Sequence, residues 1–276
     1  MNTDLGGDTF RLVVSDKKEN KLGVGGSTQK TARSLYFYVE RIAGGSIFLQ
    51  ALNDKSIPAG EKKDISLEQL LESYHPEPLV YYNKVKPLLD GVASNLEKGE
   101  KHLEKGRTDA AEKCFKRALV VDTENIRGLF GLGMTYLSAG KTEDAGEILD
   151  KIMNLEMAFD EEHAHLFNQF GIKMRKAGML PQALDYYEKA LALNGQDEHL
   201  LFNVCRIHYE MKDFDSALDV VAKALRLNNE FPEGKMMLEH LLKLKPELAN
   251  RLNEAPGAAE AAKTDGLDLD GVPWDD

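Results

Sequence analysis

Cysteine and tryptophan are almost missing from this chain, and basic charge is in short supply. The two cysteines, Cys114 and Cys205, lie far apart among 276 residues, so they build neither a disulfide framework nor a metal signature. Lys and Arg number 35 against 46 Asp and Glu, a formal net charge of −11. A chain this acidic has no general affinity for phosphate backbones or anionic lipid, so no nucleic-acid partner is expected. No apolar run approaches the ~18–20 residues needed to span a bilayer, so no membrane insertion is expected either. The opening "MNTDLGGDTFRL" has no basic or apolar signal region, and the protein is read as cytoplasmic. Length and a hydrophobic content of 42% leave room for a core of one large or two ordinary domains.

What the sequence does hold is a repeat. Four segments align: "NLEKGEKHLEKGRTDAAEKCFKRALVVD", "LFGLGMTYLSAGKTEDAGEILDKIMNLE", "FNQFGIKMRKAGMLPQALDYYEKALALN" and "LFNVCRIHYEMKDFDSALDVVAKALRLN". Ala111, Ala145, Ala183 and Ala217 share one position, followed seven residues on by Ala118, Ile152, Ala190 and Ala224. Phe115, Leu149, Tyr187 and Val221 stand between them. Gly99, Gly133 and Gly171 mark the first half of the unit, where the fourth has Cys205; Gly106, Gly140 and Gly178 mark a turn, where the fourth has Lys212. Apolar periodicity with small residues at fixed places describes two amphipathic helices packed across a tight turn. One such hairpin cannot bury its apolar stripe, and stacking several makes a solenoid.

On these residues the chain resembles the tetratricopeptide repeat (TPR) family, whose units are helix–turn–helix pairs of 34 residues. The resemblance covers residues 92–231, as units 92–125, 126–159, 164–197 and 198–231. The first unit departs from the others, with Asn95 and Lys98 at places that are apolar elsewhere, which marks it as a degenerate or capping repeat. Four extra residues around "EMAFDEEH" are expected to form a longer helix or loop between units two and three. A capping helix is expected over 232–254, ending at Leu244 or, past Pro246, at Leu252.

The ends read differently. "TFRLVV", "KLGVG", "SLYFYVERI" and "SIFLQAL" are strand-like, and "AGG" between the last two signals a hairpin. Ser66 three residues before Gln69 forms a capping-box pattern. Residues 1–78 therefore read as a small α+β domain, joined through a helix over 79–91 that Pro87 kinks or interrupts. The stretch 255–276 is small, polar and acidic, with the composition of a disordered tail. The predicted class is mainly α: a four-repeat helical-hairpin solenoid with a cap helix, an N-terminal α+β domain and an acidic tail.

Chemistry is hard to find. "GVGGSTQKT" (23–31) suggests a phosphate loop, but Val24 and Gln29 stand where glycines are required and a strand follows in place of a helix. His163 and His165, two apart, cannot share a metal from a regular helix. His165 and His199 fall on adjacent units, about one helix-packing distance apart. Cys114 and Cys205 sit on packing positions, as small buried hydrophobes. No catalytic residues, cofactor or metal are assigned, and the chain is read as no enzyme.

The resemblance implies where a partner binds, since the first helices of stacked units line a concave face. Family contact positions fall here on Arg127, Phe130, Met134, Leu137 and Ser138 in the second unit. The third supplies His165, Asn168, Ile172, Arg175 and Lys176; the fourth supplies His199, Phe202, Arg206, Tyr209 and Glu210. Cations beside apolar and aromatic surface suit a protein or peptide that carries apolar anchors between carboxylates. The co-chaperone clamp on a C-terminal carboxylate is excluded, because Leu96, Glu100, Phe130 and Met134 occupy its lysine and asparagine places. The expected function is a non-enzymatic adaptor holding a partner segment in the groove. Its alternatives are a cytoplasmic chaperone for a secreted or assembled subunit, and an N-terminal ligand-binding or catalytic domain localised by the repeats.

Trp274, the one tryptophan, lies in "GLDLDGVPWDD". Leu267, Leu269, Val272 and Trp274 alternate there with aspartates, the mixture the groove suits. Three readings stay open: a segment that contacts the chain's own groove, a docking motif for another protein, or a solubilising terminus.

Overall fold

Strand propensity is concentrated before residue 66 and helical periodicity after it, and apart from the short strand at Tyr74–Pro76 the elements follow that order. The computed structural model describes residues 9–16, 35–194 and 197–249. Two units form: one holds the residues up to Lys98 together with Cys114–Thr123, the other Gly99–Lys113 and the residues from Glu124 onward.

In the first unit five strands make an antiparallel sheet: β1 (Phe10–Asp16), β2 (Tyr36–Arg41), β3 (Ile47–Leu52), β4 (Pro58–Ile65) and β5 (Tyr74–Pro76). Their order is β4-β3-β2-β1-β5. Side chains alternate between faces along each strand. Val14, Val39, Ile47 and Leu49 turn to one face and pack with Leu70 of helix α1 (Leu67–Ser73). Val13 and Tyr38 turn to the other and pack with Tyr81 and Val85. Both faces are covered.

The expected hairpin closes at Gly44 and Gly45, whose φ angles of 102° and 94° suit residues without a Cβ. The amide of Ile42 donates to the Ser46 carbonyl at 3.1 Å. The Ser66–Gln69 capping box is present, with both of its hydrogen bonds at 3.1 Å. β4 and β5 were not expected. β4 ("PAGEKKDI") is a charged edge strand held by its backbone and lacks a clear apolar alternation. "KLGVG" and the 23–31 glycine loop lie outside the described residues.

Helix α2 (Pro78–Val80) passes into a π-helical turn (Tyr81–Val85) and then α3 (Lys86–Glu104). Pro87 therefore does not interrupt the helix. A proline lacks an N–H and crowds the preceding turn, and the widened turn just before it accommodates both.

The helices that follow are α4 (Thr108–Val121), α5 (Ile126–Ser138), α6 (Thr142–Met153), α7 (Ala164–Lys176), α8 (Leu180–Asn194), α9 (Glu198–Glu210), α10 (Phe214–Leu227) and α11 (Pro232–Leu244). The alanine column Ala111, Ala145, Ala183 and Ala217 is fully buried. Gly171 marks a close approach, because a Cβ there would lie 2.3 Å from the Tyr187 hydroxyl. At the equivalent place in the fourth unit Cys205 fits, its Sγ donating to the Ala217 carbonyl at 3.3 Å.

Between units two and three the added residues form two 3-10 turns, Glu156–Phe159 and Glu161–His163. They are packed: Phe159 is buried against Phe167 and Tyr186, ring centroids 5.6 Å away in each case. The cap helix ends at Leu244 and does not run on to Leu252. Pro246 disfavours helix at Lys245, and a 3-10 turn, Pro246–Leu248, tucks Leu248 into the core of the fourth repeat.

The turn column carries a prediction. Gly106, Gly140 and Gly178 have φ of 66°, 72° and 77°, and Lys212 in the same place has φ 63°. Each turn closes with the same backbone bond, as in Lys141 N to Tyr136 O at 2.9 Å and Asp213 N to His208 O at 2.9 Å. Only Lys212 carries a side chain through this left-handed conformation, at a cost of about 1–2 kcal/mol. Lys212→Gly should stabilise the protein by about 1 kcal/mol, seen as a higher denaturant midpoint at unchanged slope.

Candidate functional site

The first helices of successive repeats are linked by polar pairs. Arg127 of α5 donates to both carboxylate oxygens of Glu100 in α3, at 2.8 and 2.9 Å. Lys173 of α7 donates to Ser138 of α5 at 3.1 Å. Arg175 of α7 pairs with Glu210 of α9. These links join neighbouring units along one wall, and two hollows open beside them.

The first hollow, about 680 Å³, lies among α3, α5 and α7. Arg127, Ser138, His165, Gln169 and Lys173 stand around it, with Leu103, Met134 and Leu166 supplying apolar surface. Met134 is buried and forms floor. Glu100, Glu104, Glu162 and His163 complete the rim. The second hollow, about 520 Å³, lies among α7, α9 and α11. Arg175, Lys176, Arg206 and Glu210 meet there with Tyr209, Met237 and His240. The Tyr209 hydroxyl and His240 Nε2 are 2.8 Å apart. Both volumes fall in the range of ligand sites, ~300–1,000 Å³.

Of the sequence-derived residues, Arg127, Met134, Ser138 and His165 meet in the first hollow, and Arg175, Lys176, Arg206, Tyr209 and Glu210 in the second. Others need correcting. Phe130 is fully buried, edge-on to Phe170 at 5.7 Å, and Leu137 is buried as well. These two belong to the packing between helices because α5 has apolar neighbours on almost every side. Asn168, Ile172, His199 and Phe202 face neither hollow; His199 and Phe202 stand against Phe231 at 5.1 and 5.5 Å. Arg127 reaches the wall already engaged by a carboxylate. Leu267, Leu269, Val272 and Trp274 lie outside the described residues.

Residues that sequence reasoning passed over include Leu166, Gln169 and Lys173, each one place beyond a family contact position. Helix α7 serves both hollows: this flank faces the first, and Arg175 and Lys176 face the second. His240 and Met237 come from α11, so the cap helix contributes to the hollow as well as covering the last repeat. Met237 and His240 stand three apart in "KMMLEH", a spacing that puts them on one face of the helix.

Both cysteines and the paired tyrosines of α8 are buried. Burial pushes the Cys205 thiol up to about 12, and Cys114 is buried too. The hydroxyls of Tyr186 and Tyr187 are raised above the usual tyrosine range by burial. Among the described residues no helix is long and apolar enough to cross a membrane.

Residues 96–153 and 174–241 each match a family model described as tetratricopeptide repeat. A tetratricopeptide repeat and J domain-containing co-chaperone of Fusarium oxysporum f. sp. lycopersici is 33% identical over 75 residues, 27% of this chain and 14% of that protein. The human cell division cycle protein 16 homolog is 27% identical over 183 residues, 63% of this chain and 29% of its own. The chain thus spans less than a third of these relatives. A solved structure described as MamA protein covers 67% of this chain and 99% of its own, with a TM-score of 0.45 and 22% identity. Over residues 96–153 and 174–241 this chain belongs with the tetratricopeptide repeats.

Proposed function

We propose that this protein is a non-enzymatic adaptor that holds an extended segment of a protein partner along the first-helix wall of its repeats. The repeat fold supports a protein-interaction scaffold. The observation that carries the finer reading is the pair of hollows on that wall, each with an apolar floor beside cations. Apolar anchors seat on Met134 and Leu166 or on Met237 and Tyr209, while Lys173, Lys176 and Arg206 meet carboxylates between the anchors. We place the repeats at 92–125, 126–159, 164–197 and 198–231, with the contact wall running through the last three. A cytoplasmic setting suits two buried free thiols.

The sheet of the first unit offers less. A 430 Å³ hollow at Thr9–Arg11 and Glu40–Ala43 has Arg11 and Glu40 engaged with each other at 2.7 Å, and little apolar floor beside them. The repeats are therefore taken as the working surface.

Selecting peptides from a random display library on the whole chain tests this. The expected winners carry Asp or Glu between apolar residues, and Lys173→Glu should weaken them at least tenfold, about 1.4 kcal/mol. Winners with no acidic preference, or an affinity indifferent to Lys173, would refute the reading.

A further inference from the structure

The second hollow contains a side chain built for an anion. Arg175 is 6% exposed. Its Nη1 pairs with Glu210, while its Nη2 is buried with no hydrogen-bond partner among the described residues. A buried guanidinium N–H without a partner is costly and points to an acceptor that completes it. Lys176 and Arg206 stand at the same hollow, so its cations outnumber Glu210. Met237 and the Tyr209 ring give an apolar surface beside the charge. The ligand chemistry is a carboxylate next to a large apolar or aromatic group.

We infer that the occupant is the chain's own C-terminal segment, residues 265–276. This rests on the reading of the first-helix wall as a surface for acidic-apolar segments. Three facts select this segment. Its charge is complementary: "DGLDLDGVPWDD" carries five aspartates and no cation. Its pattern matches, with Leu267, Leu269, Val272 and Trp274 set between those aspartates. Its reach suffices, because α11, the last α-helix among the described residues, forms one wall of the hollow. Trp274 is twenty-five residues beyond Ala249, and a chain of that length can extend up to about 80–90 Å. Joined to its site, the segment has an effective concentration on the order of millimolar, enough to populate a weak contact. Carboxylates of the segment complete Arg175 and meet Lys176 and Arg206, while Trp274 lies against Met237 and Tyr209. The segment thereby competes with any partner at this end of the wall.

Because Trp274 is the only tryptophan, the fluorescence of the full chain reports on this segment alone. The expected result is emission at shorter wavelength than that of a synthetic 265–276 peptide, with severalfold weaker quenching by acrylamide. Both differences should persist on dilution and disappear in Lys176→Glu/Arg206→Glu. Asp268→Asn/Asp270→Asn should diminish them without touching the repeats, which covers the case where the double reversal unfolds. Emission and quenching equal to the free peptide would overturn the proposal. So would a difference that Lys176→Glu/Arg206→Glu leaves intact in a folded chain, or one that vanishes on dilution. A peptide library without acidic preference would refute the parent reading instead, so the two failures are distinct.

Discussion

Tyr186→Ala should lower the stability of the repeat unit by about 3–5 kcal/mol, the range for truncating a fully buried aromatic ring. Tyr186 is fully buried in α8 and touches four other rings. Phe167 stacks on it at 4.4 Å, and Phe159, Phe170 and Tyr187 approach at 5.6, 5.7 and 5.7 Å. Its hydroxyl donates to the Phe167 carbonyl at 3.2 Å. Truncation therefore leaves a cavity and removes a second donor from the Phe167 carbonyl, which lies within α7 and keeps its helical bond. The ring also anchors the insertion, since Phe159 belongs to the first of the two 3-10 turns. Denaturant unfolding should show the full loss. Hydrogen exchange should rise first in 156–163 and α7, because a repeat touches mainly its neighbours and weakens locally. A double variant with Phe159→Ala should cost less than the sum of the singles, as the two rings share one contact. A loss under 1 kcal/mol would mean that this aromatic cluster is not what seats the inserted turns.

Much of this arrangement could be read from the chain. Small residues at Ala111, Ala145, Ala183 and Ala217 fixed the register of the hairpins, and the glycine column located the turns to the residue. Backbone approach and left-handed turns each demand particular residue types, so they leave a local mark. The site was legible only in part. Periodicity says that position five of a repeat lies near the inner wall but not how deep. Phe130 is swallowed, whereas Phe202 stays half-buried against Phe231, and the difference comes from neighbours distant in sequence. The contribution of α11 to the second hollow was hidden for the same reason. β4 was missed because an edge strand is held by backbone bonds that impose no apolar alternation. Pairing is the least legible of all: nothing near Arg175 in sequence announces Glu210, thirty-five residues away.

Removing that partner gives the second large effect. Glu210→Ala should destabilise the protein by roughly 3 kcal/mol, the lower end for breaking a buried ion pair, because Glu210 is itself about a third exposed. The cost falls on Arg175, which would be left charged and desolvated with both nitrogens lacking an acceptor. Glu210→Gln keeps an acceptor but no charge, and should lie between the variant and the parent. Replacing both partners, as in Arg175→Met/Glu210→Leu, removes the charge together with its need for compensation and should recover most of the loss. Function should move the other way. Without Glu210 the second hollow gains net positive charge, so the 265–276 segment should be held more tightly and Trp274 quenched less. At high salt that gain should shrink, since the hollow is open to solvent and its charges are screened. A variant that lost stability yet gained affinity would show that Glu210 holds Arg175 for folding while competing with its ligand. Equal loss of both would mean instead that the ion pair shapes the hollow and that Arg175 does not bind through it.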